Sequence, residues 1–545
     1  MELVLQRFAR GLTRHPTPVA LALLGLTLVS LFGVARLTID PANERLLLRQ
    51  TPSYRVYQRF LATFGSDEVI LIALHDPTQT LLTPTGLTAV RALTQAIENL
   101  PQVATVLSLT NVPDVARLTL TPFGIDAPPL VGKEGLPTEQ IAAIAQNDVL
   151  IGTLLSRDFH TVGLLVIPQK MMAAPSARAT WIAAVRAVAA QHARQGRQTY
   201  VAGTPLERVD LTSYLARDQR LIVPLVFLVL LGLAWSFLRV MHLALLPLLC
   251  VLLSLSWTMG LVGFLGVSLN LITSLLPPVV MVVSVSVALH LLNQFQEESA
   301  ASRRGAQAVE RAVSHVGTAC LLTSLTTALG FFSLLVSPVP AIRDFALFAG
   351  VGALLSFVVA ITCVPLGLLY TTRREPQRVE TVHQGIVERF LERLVLWVSG
   401  HRSSIFLGSS LLLVAFVPGI WHLAEGTDIV RALKRQAPLR ISTEFIDHHL
   451  SGVNSLELLV QLPTANDPVS IQRVLSYGHW LRAQPGVTAV HSAWEPLRGI
   501  NPQLLQDEAQ LTMLVSLLPL AFPLDAWLDS TGTLLRLSVR VRCHA

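Results

Sequence analysis

The chain has 545 residues, 52% hydrophobic and 14% charged, with a mean hydropathy of +0.55. A soluble domain is about 25% charged, so these values exclude a soluble multidomain enzyme, and they equally exclude a disordered chain. Four cysteines are too sparse for a disulfide scaffold, and the formal net charge of +6 comes from arginines set beside apolar runs, a pattern of membrane topology and not of a nucleic-acid partner.

In chain order, seven segments reach or approach the ~20 apolar residues that a bilayer-crossing helix needs. They are Pro18–Ala35, Leu221–Leu238, Leu243–Val267, Leu271–Leu292, Val316–Val336, Phe345–Tyr370 and Ser403–Trp421. None contains Asp, Glu, Lys or Arg, and the one ring in them that titrates near neutral pH is His290. A soluble helix of that length carries a polar face, and these do not. The first follows Arg7, Arg10 and Arg14 as a signal peptide would, but its apolar run exceeds the ~7–15 residues of a signal core and reads as an anchor.

Arginine bias sets the expected orientation. With the N-terminus in the cytoplasm, Arg7, Arg10, Arg14, Arg239, Arg303, Arg304, Arg311, Arg373, Arg374, Arg378, Arg389, Arg393 and Arg402 all lie inside. The two short outer loops then hold only Arg343. The expected layout is an N-terminal segment (1–17), span one (18–35), a first outer domain (36–220), spans two to six (221–370), a cytoplasmic linker (371–402), span seven (403–421) and a second outer domain (422–545).

The first outer domain alternates strand-like and helix-like runs. Strands are predicted at Glu68–Leu74, Val103–Leu109, Thr161–Ile167 and Gln198–Ala202, and helices at Thr85–Leu100 and Ala174–Arg194. Leu206–Arg220 is predicted to run as a helix into span two. This pattern predicts an α+β sandwich with helices on one face of a sheet. In the linker, Ile386, Val387, Phe390, Leu391, Leu394 and Val395 recur at helical spacing and predict an amphipathic helix along the inner surface, with Arg389 and Arg393 at the head groups.

The second outer domain repeats the first. Asn99–Val106 resembles Ala483–Val490, with Pro101 and Pro485 offset by 384. Asp40 and Asp428 are offset by 388, and the starts of spans one and seven by 385. Such duplication is common in transporters. Repeat logic would carry a complete second copy to roughly position 755, which makes the chain the N-terminal part of a twelve-span protein with a truncated second domain. The other reading is a half-length protein.

The order of one span, a large outer domain, five clustered spans and a repeat resembles the resistance–nodulation–division (RND) superfamily. Within it the chain is most similar to MMPL-type and hopanoid-transporter-like lipid exporters. The residues that carry the resemblance are Tyr57–Glu68 (YQRFLATFGSDE), Gly203-Thr204-Pro205 with Asp210, Gly266–Pro278, and most specifically Thr323–Ser337 (TSLTTALGFFSLLVS) followed by Ile342–Phe345 and Pro365. Spans two to six also resemble a sterol-sensing domain. The resemblance implies a polytopic α-helical protein of the bacterial inner membrane with two α+β periplasmic porter-like domains. It also implies export of lipid or another hydrophobic molecule driven by protons, no cofactor, and a homo-oligomer or accessory periplasmic proteins as partners. The rival expectation is a membrane protein that binds or senses lipid without pumping.

In that family an acidic residue in the middle of span four carries the proton. Here Ser286 or Val287 stands at that place, within Val283–His290, and no carboxylate is present. His290, with Ser286 a turn away and Ser284 beside it, is the candidate proton relay. The alternative is that His290 caps or snorkels near the cytoplasmic end, since Asn293 and Gln294 follow within a turn. Thr323, Ser324, Thr326 and Thr327 form a hydroxyl cluster in span five that either lines a water path or joins helices.

Gly330, Gly350 and Gly352 read as packing contacts, and Pro277-Pro278, near the start of span four, as shaping or kinking it. Cys250, Cys320, Cys363 and Cys543 read as inert thiols, and Asp447-His448-His449 as a solvated helix face without a metal. Gly132-Lys133 lacks Walker spacing, and neither HExxH nor GxSxG occurs, so no enzyme is expected.

Overall fold

The computed structural model describes residues 2–39, 51–64, 69–112, 119–121, 124–126, 129–131, 141, 144, 150–168, 175–194, 196–238, 241–300, 306–372, 386–422, 430, 433–463, 467–494 and 527–541. The chain opens with α1 (Glu2–Arg14) and α2 (Pro16–Val34). An α/β segment follows: α3 (Pro52–Phe64), β1 (Ile70–His75), α4 (Pro84–Glu98), β2 (Val103–Leu107), the hairpin β3 (Thr119–Thr121) and β4 (Gly124–Asp126), β5 (Thr161–Pro168), α5 (Pro175–His192) and β6 (Gln198–Gly203). Five long helices come next: α6 (Thr204–Leu238), α7 (Met241–Phe264), α8 (Leu276–Ala300), α9 (Ala306–Ser333) and α10 (Pro340–Thr372). Then come α11 (Ile386–Gly400), α12 (Arg402–Phe416), α13 (Pro438–His449), β7 (Ser455–Gln461), α14 (Pro468–Arg482), β8 (Val487–Ser492) and β9 (Leu534–Val541).

Seven helices are long and apolar enough to cross a membrane, at the seven places expected from hydropathy. The protein is a polytopic α-helical membrane protein. The helix expected at Leu206–Arg220 and span two are one continuous helix, α6. Span four begins later than its hydropathy: Asn270 ties down a 3₁₀ turn (Thr273–Leu275), its Oδ1 accepting from Ile272 N–H at 2.9 Å and Thr273 N–H at 3.0 Å. Pro277 and Pro278 therefore occupy the first turn of α8 and do not kink it, because no intrahelical N–H bond is due there.

The chain divides into two compact units. The first joins Met1–Leu48 to Tyr214–Thr427 and holds the bundle. Small residues bring α2 and α7 together: a Cβ on Gly260 would lie 2.5 Å from the Ser30 carbonyl oxygen, and a Cβ on Gly33 would strike Gly260. Across that seam the hydroxyls of Ser30 and Ser256 are 2.7 Å apart, and Trp257 Nε1 donates to Thr27 Oγ1 at 3.1 Å. Gly350 and Gly352 are close contacts, against the Phe332 ring and against Val280 and Thr258. Gly330 faces open space and packs on nothing within 4 Å, because α9 turns that side outward.

The amphipathic α1 lies on α9 through Leu5, Ala9 and Leu12, and Glu310 accepts from Thr13 Oγ1 at 3.1 Å. The described side chains of α11, among them Phe390, Val395 and Trp397, are exposed, as is the apolar surface of α12.

The second unit joins Arg49–Ser213 to Asp428–Ala545. Its first sheet has the order β2-β5-β1-β6, antiparallel throughout. With α4 and α5 as crossovers this is a split β-α-β arrangement. Helices α4 and α5 cover one face, where Ile70, Ile72, Leu74, Val90, Leu93 and Trp181 are buried. Helices on one face alone would leave Leu71, Ala73 and Ala202 to water. In the structure α13, from the second copy of the repeat, and the turn after it cover that face with Ile446, Leu450 and Val453, so the one-sided expectation is corrected. Two covered faces explain why β1 reads ILIAL without alternation.

The second sheet has the order β7-β9-β8 and packs Leu535, Leu537 and Val539 against Ile471 and Val474 of α14 and against Trp494. Elements recur at the offset seen in sequence: β1 and β7 start 385 apart, α4 and α14 384 apart, α3 and α13 386 apart. The helix caps recur too, Thr83 accepting from Gly86 N–H and Asp467 from Ser470 N–H. β9 lies between β8 and β7, and the other edge of β7 pairs with no strand among the described residues. The repeat landmarks Asp40 and Asp428, the predicted strand residue Glu68, Gly132-Lys133 and Cys543 lie outside the described residues.

Candidate functional site

Two regions concentrate polar chemistry. In the bundle, Ser254 on α7 and Ser284 on α8 are fully buried with their hydroxyls 3.1 Å apart. Thr258 Oγ1 donates to Ser254 O at 2.8 Å, and Ser356 Oγ to Gly352 O at 2.8 Å, both also fully buried. The Ser254–Ser284 pair joins two helices in the way small polar residues do in membranes, while Thr258 and Ser356 are satisfied by their own helices.

Ser286 and His290 stand on the other side of α8, one turn apart and exposed, with Asn293 and Glu297 continuing the stripe. The structure thus separates Ser284 from Ser286 and His290. On α9, Thr323 donates to Ala319 O, and Thr326 and Thr327 both donate to Thr323 O, so these hydroxyls are satisfied by their own helix. Ser324 is buried and its hydroxyl has no hydrogen-bond partner among the described residues. Cys250, Cys320 and Cys363 are buried free thiols in the bundle.

The second region lies in the α/β unit, where α13 meets the first sheet. Tyr200 of β6 stacks on Phe445 at 3.7 Å with the rings nearly parallel, and Phe445 stacks on His449 at 4.0 Å. His75, the last residue of β1, meets the Phe445 ring edge-on at 5.1 Å and lies 5.6 Å from the His449 ring. Thr161 Oγ1 is 3.0 Å from His75 Nδ1, and His160 Nδ1 donates to Asp76 O at 2.7 Å.

A cavity of about 480 Å³ opens beside this stack, lined by Ser156, Arg157, Asp158, His448, His449 and Thr488 among others. Asp158 accepts from the Ser156 hydroxyl and from His160 N–H. Those bonds, with His160 and His449 nearby, hold its carboxyl below the usual range against the opposing pull of burial. No group of three or more metal-ligating side chains forms among the described residues.

Asp447 was expected on a solvated face with His448 and His449. It is buried instead, and its Oδ1 accepts from Val453 N–H at 3.1 Å, closing the turn after α13. Asp210 pairs with Arg186 through two bonds of 2.8 and 2.7 Å, joining α6 to α5.

Comparison with known proteins places the chain. The MMPL family matches residues 47–402, which cover the first α/β segment, the five long helices α6–α10 and α11. The chain belongs to the MMPL family. It is therefore a multi-pass membrane protein of the RND superfamily, and α6–α10 form its sterol-sensing-domain-like bundle.

Among relatives it is 30% identical to a putative membrane protein, MJ1562, of Methanocaldococcus jannaschii over 22% of this chain and 31% of that protein. It is 33% identical to NPC intracellular cholesterol transporter 1 of Sus scrofa over 25% of this chain and 11% of that protein. It is 22% identical to heme uptake protein MmpL11 of Mycobacterium tuberculosis over 51% of this chain and 29% of that protein. The chain spans under a third of the length of each of these relatives.

Against the MMPL pattern, Asp210 is the structural tie just described, and α8 presents serine and valine at its middle. His75, His160, Tyr200 and Phe445 escaped the sequence reading. The one local signal was a histidine closing the apolar run of β1.

Proposed function

We propose that the protein is an MMPL-type exporter of lipid or another hydrophobic molecule, driven by the proton gradient, with its N-terminus in the cytoplasm and its α/β unit in the periplasm of the bacterial inner membrane. The observation that carries this reading is the family match across both the first α/β segment and the bundle. A cholesterol transporter and a haem uptake protein among the relatives fit a bulky hydrophobic cargo. The two copies of the α/β fold would serve as porter domains that hand the cargo along, and alternating states of the repeats would gate it. His290 and Ser286, exposed together on α8, are the proposed relay, with Ser284, Thr323, Ser324, Thr326 and Thr327 as the polar lining of the bundle. Further copies of the chain, accessory periplasmic proteins and a twelve-span whole belong to the same proposal.

The test is flux of a fluorescent phospholipid from proteoliposomes holding the full-length protein, with an imposed pH gradient. Export that stops with a protonophore supports the reading, and export that persists unchanged removes proton coupling. One observation favours a second reading, a lipid-binding protein that does not pump: α8 carries no carboxylate at its middle. That reading requires lipid to bind without any flux in the same assay.

A further inference from the structure

The ring cluster between α13 and the first sheet has no part in the transport reading, and it is built from groups that titrate. We propose that His75, packed against the Phe445 and His449 rings, is a proton-binding site whose loading releases α13 from the first sheet. The ligand is the proton itself, and the proposal stands whatever cargo the protein moves.

Helix α13 is held by a small apolar patch (Leu71, Ala73 and Ala202 against Ile446, Leu450 and Val453), by Leu439 buried in the core of the first sheet, and by the Tyr200–Phe445–His449 stack at its rim. His75 sits against Phe445, the middle ring of that stack, and against His449 at one end, so a charge on its ring adjoins a second imidazole. His160 is a third imidazole in the same group, and Arg157 lines the adjoining cavity together with His448.

The carboxylates within reach are already engaged. Asp158 accepts from Ser156 and His160 N–H, and Asp76 accepts from Thr78 and Gln79 and pairs with Arg197 at 3.3 Å. Asp158 draws a proton toward His75, while burial, His449 and His160 oppose it. The net effect lowers the His75 pKa below its ordinary 6.5. The docked form thus binds fewer protons than the released form, and docking weakens as pH falls below about 6.5. Asp158 and His449, both beside His75, also line the cavity.

Hydrogen exchange on the full chain in nanodiscs tests this, from about pH 7.5 to about pH 5.5, with rates corrected for intrinsic pH dependence. Protection of Pro438–His449 should fall about three- to tenfold relative to α14 across that range. His75→Gln should abolish the fall. His449→Gln, at a helix end where folding is less at risk, should reduce it. Protection of α13 that does not change with pH, or a fall of equal size in both variants, overturns the proposal. Unchanged protection of α4 and α14 in each variant shows that the fold is intact.

Discussion

Phe60 and Phe445 stand 385 positions apart, at equivalent places in the two copies, and each ring meets a side chain on the sheet of the other copy. Phe445 of α13 stacks on Tyr200 of the first sheet. Phe60 of α3 is buried with the guanidinium of Arg536, on β9 of the second sheet, 4.9 Å from its ring centroid. Arg536 is fixed in turn by Glu457 of β7 at 2.8 Å. Each copy thus places an aromatic ring on the other, so Phe60→Ala should destabilise the second sheet and Phe445→Ala the first. The expected loss is about 3 kcal/mol at Phe60, which is fully buried, and less at Phe445. Hydrogen exchange resolved to β9 and β6 separates the two effects.

The seam between α2 and α7 predicts a steric failure. Gly260→Val places methyl groups against the Ser30 carbonyl, which is already within 2.5 Å of a bare Cβ. The helices must part, breaking the Trp257–Thr27 and Ser30–Ser256 bonds together. The expected cost is about 3 kcal/mol or more, read as a lower midpoint of thermal unfolding in detergent. Gly330→Ala, on an open side of α9, should leave that midpoint unchanged.

Hydropathy located all seven spans because a lipid-facing helix must be apolar along its whole length. Helix α1 was also written in the sequence, as Leu5, Ala9 and Leu12 on one face, but its polar remainder hid it among the terminal residues. The docking of α13 was not legible. The apolar alternate face of β1 shows that something covers it, but not which segment, and the answer lies some 370 residues downstream. Asp447 was misread for a related reason: beside two histidines it looks solvated, and only the turn at Gly452 shows why it is buried. The proline pair stands near the start of its span as expected but makes no kink, because hydropathy cannot see the 3₁₀ turn that delays the start of α8 and leaves the pair in its first turn.

The repeat supplies a stabilising substitution. Gln102 adopts φ +70° at the position where the second copy has Gly486 at φ +83°. A side chain is strained in that region, and glycine is not. Gln102→Gly should raise stability by about 0.5 kcal/mol after its own entropy cost in the unfolded chain. Denaturant unfolding of the variant and of Gly486→Gln, which should lose a similar amount, checks both signs.

His491 on β8 gives a pH prediction. Burial, with Arg540 and Arg482 nearby, pushes its pKa down to about 3, and Thr153 Oγ1 lies 3.2 Å from its Nε2. The folded state binds fewer protons than the unfolded state between pH 3 and the ordinary 6.5. Its contribution to stability is therefore complete above 6.5 and shrinks as pH falls through that window. His491→Gln, which cannot take up a proton there, should flatten the acid side of the stability curve. Melting midpoints from about pH 4 to about pH 7 test it, and equal slopes in both proteins would refute it.

The Arg186–Asp210 tie should not tolerate a change of geometry. Arg186→Lys keeps the charge but loses the paired bonds, and it should cost about 1–2 kcal/mol where α6 leaves β6. Limited proteolysis near residues 193–213 measures the loosening.

The unpaired side of β7 has a practical consequence. Seven residues there present alternate N–H and C=O groups with nothing opposite them among the described residues, and Leu456 beside them is half-exposed. Such an edge is a template for any extended chain that meets it. Expressed alone, the segment from Pro438 to Val541 should form dimers or fibres through strand addition, and a lysine in place of Leu456 should keep it dispersed.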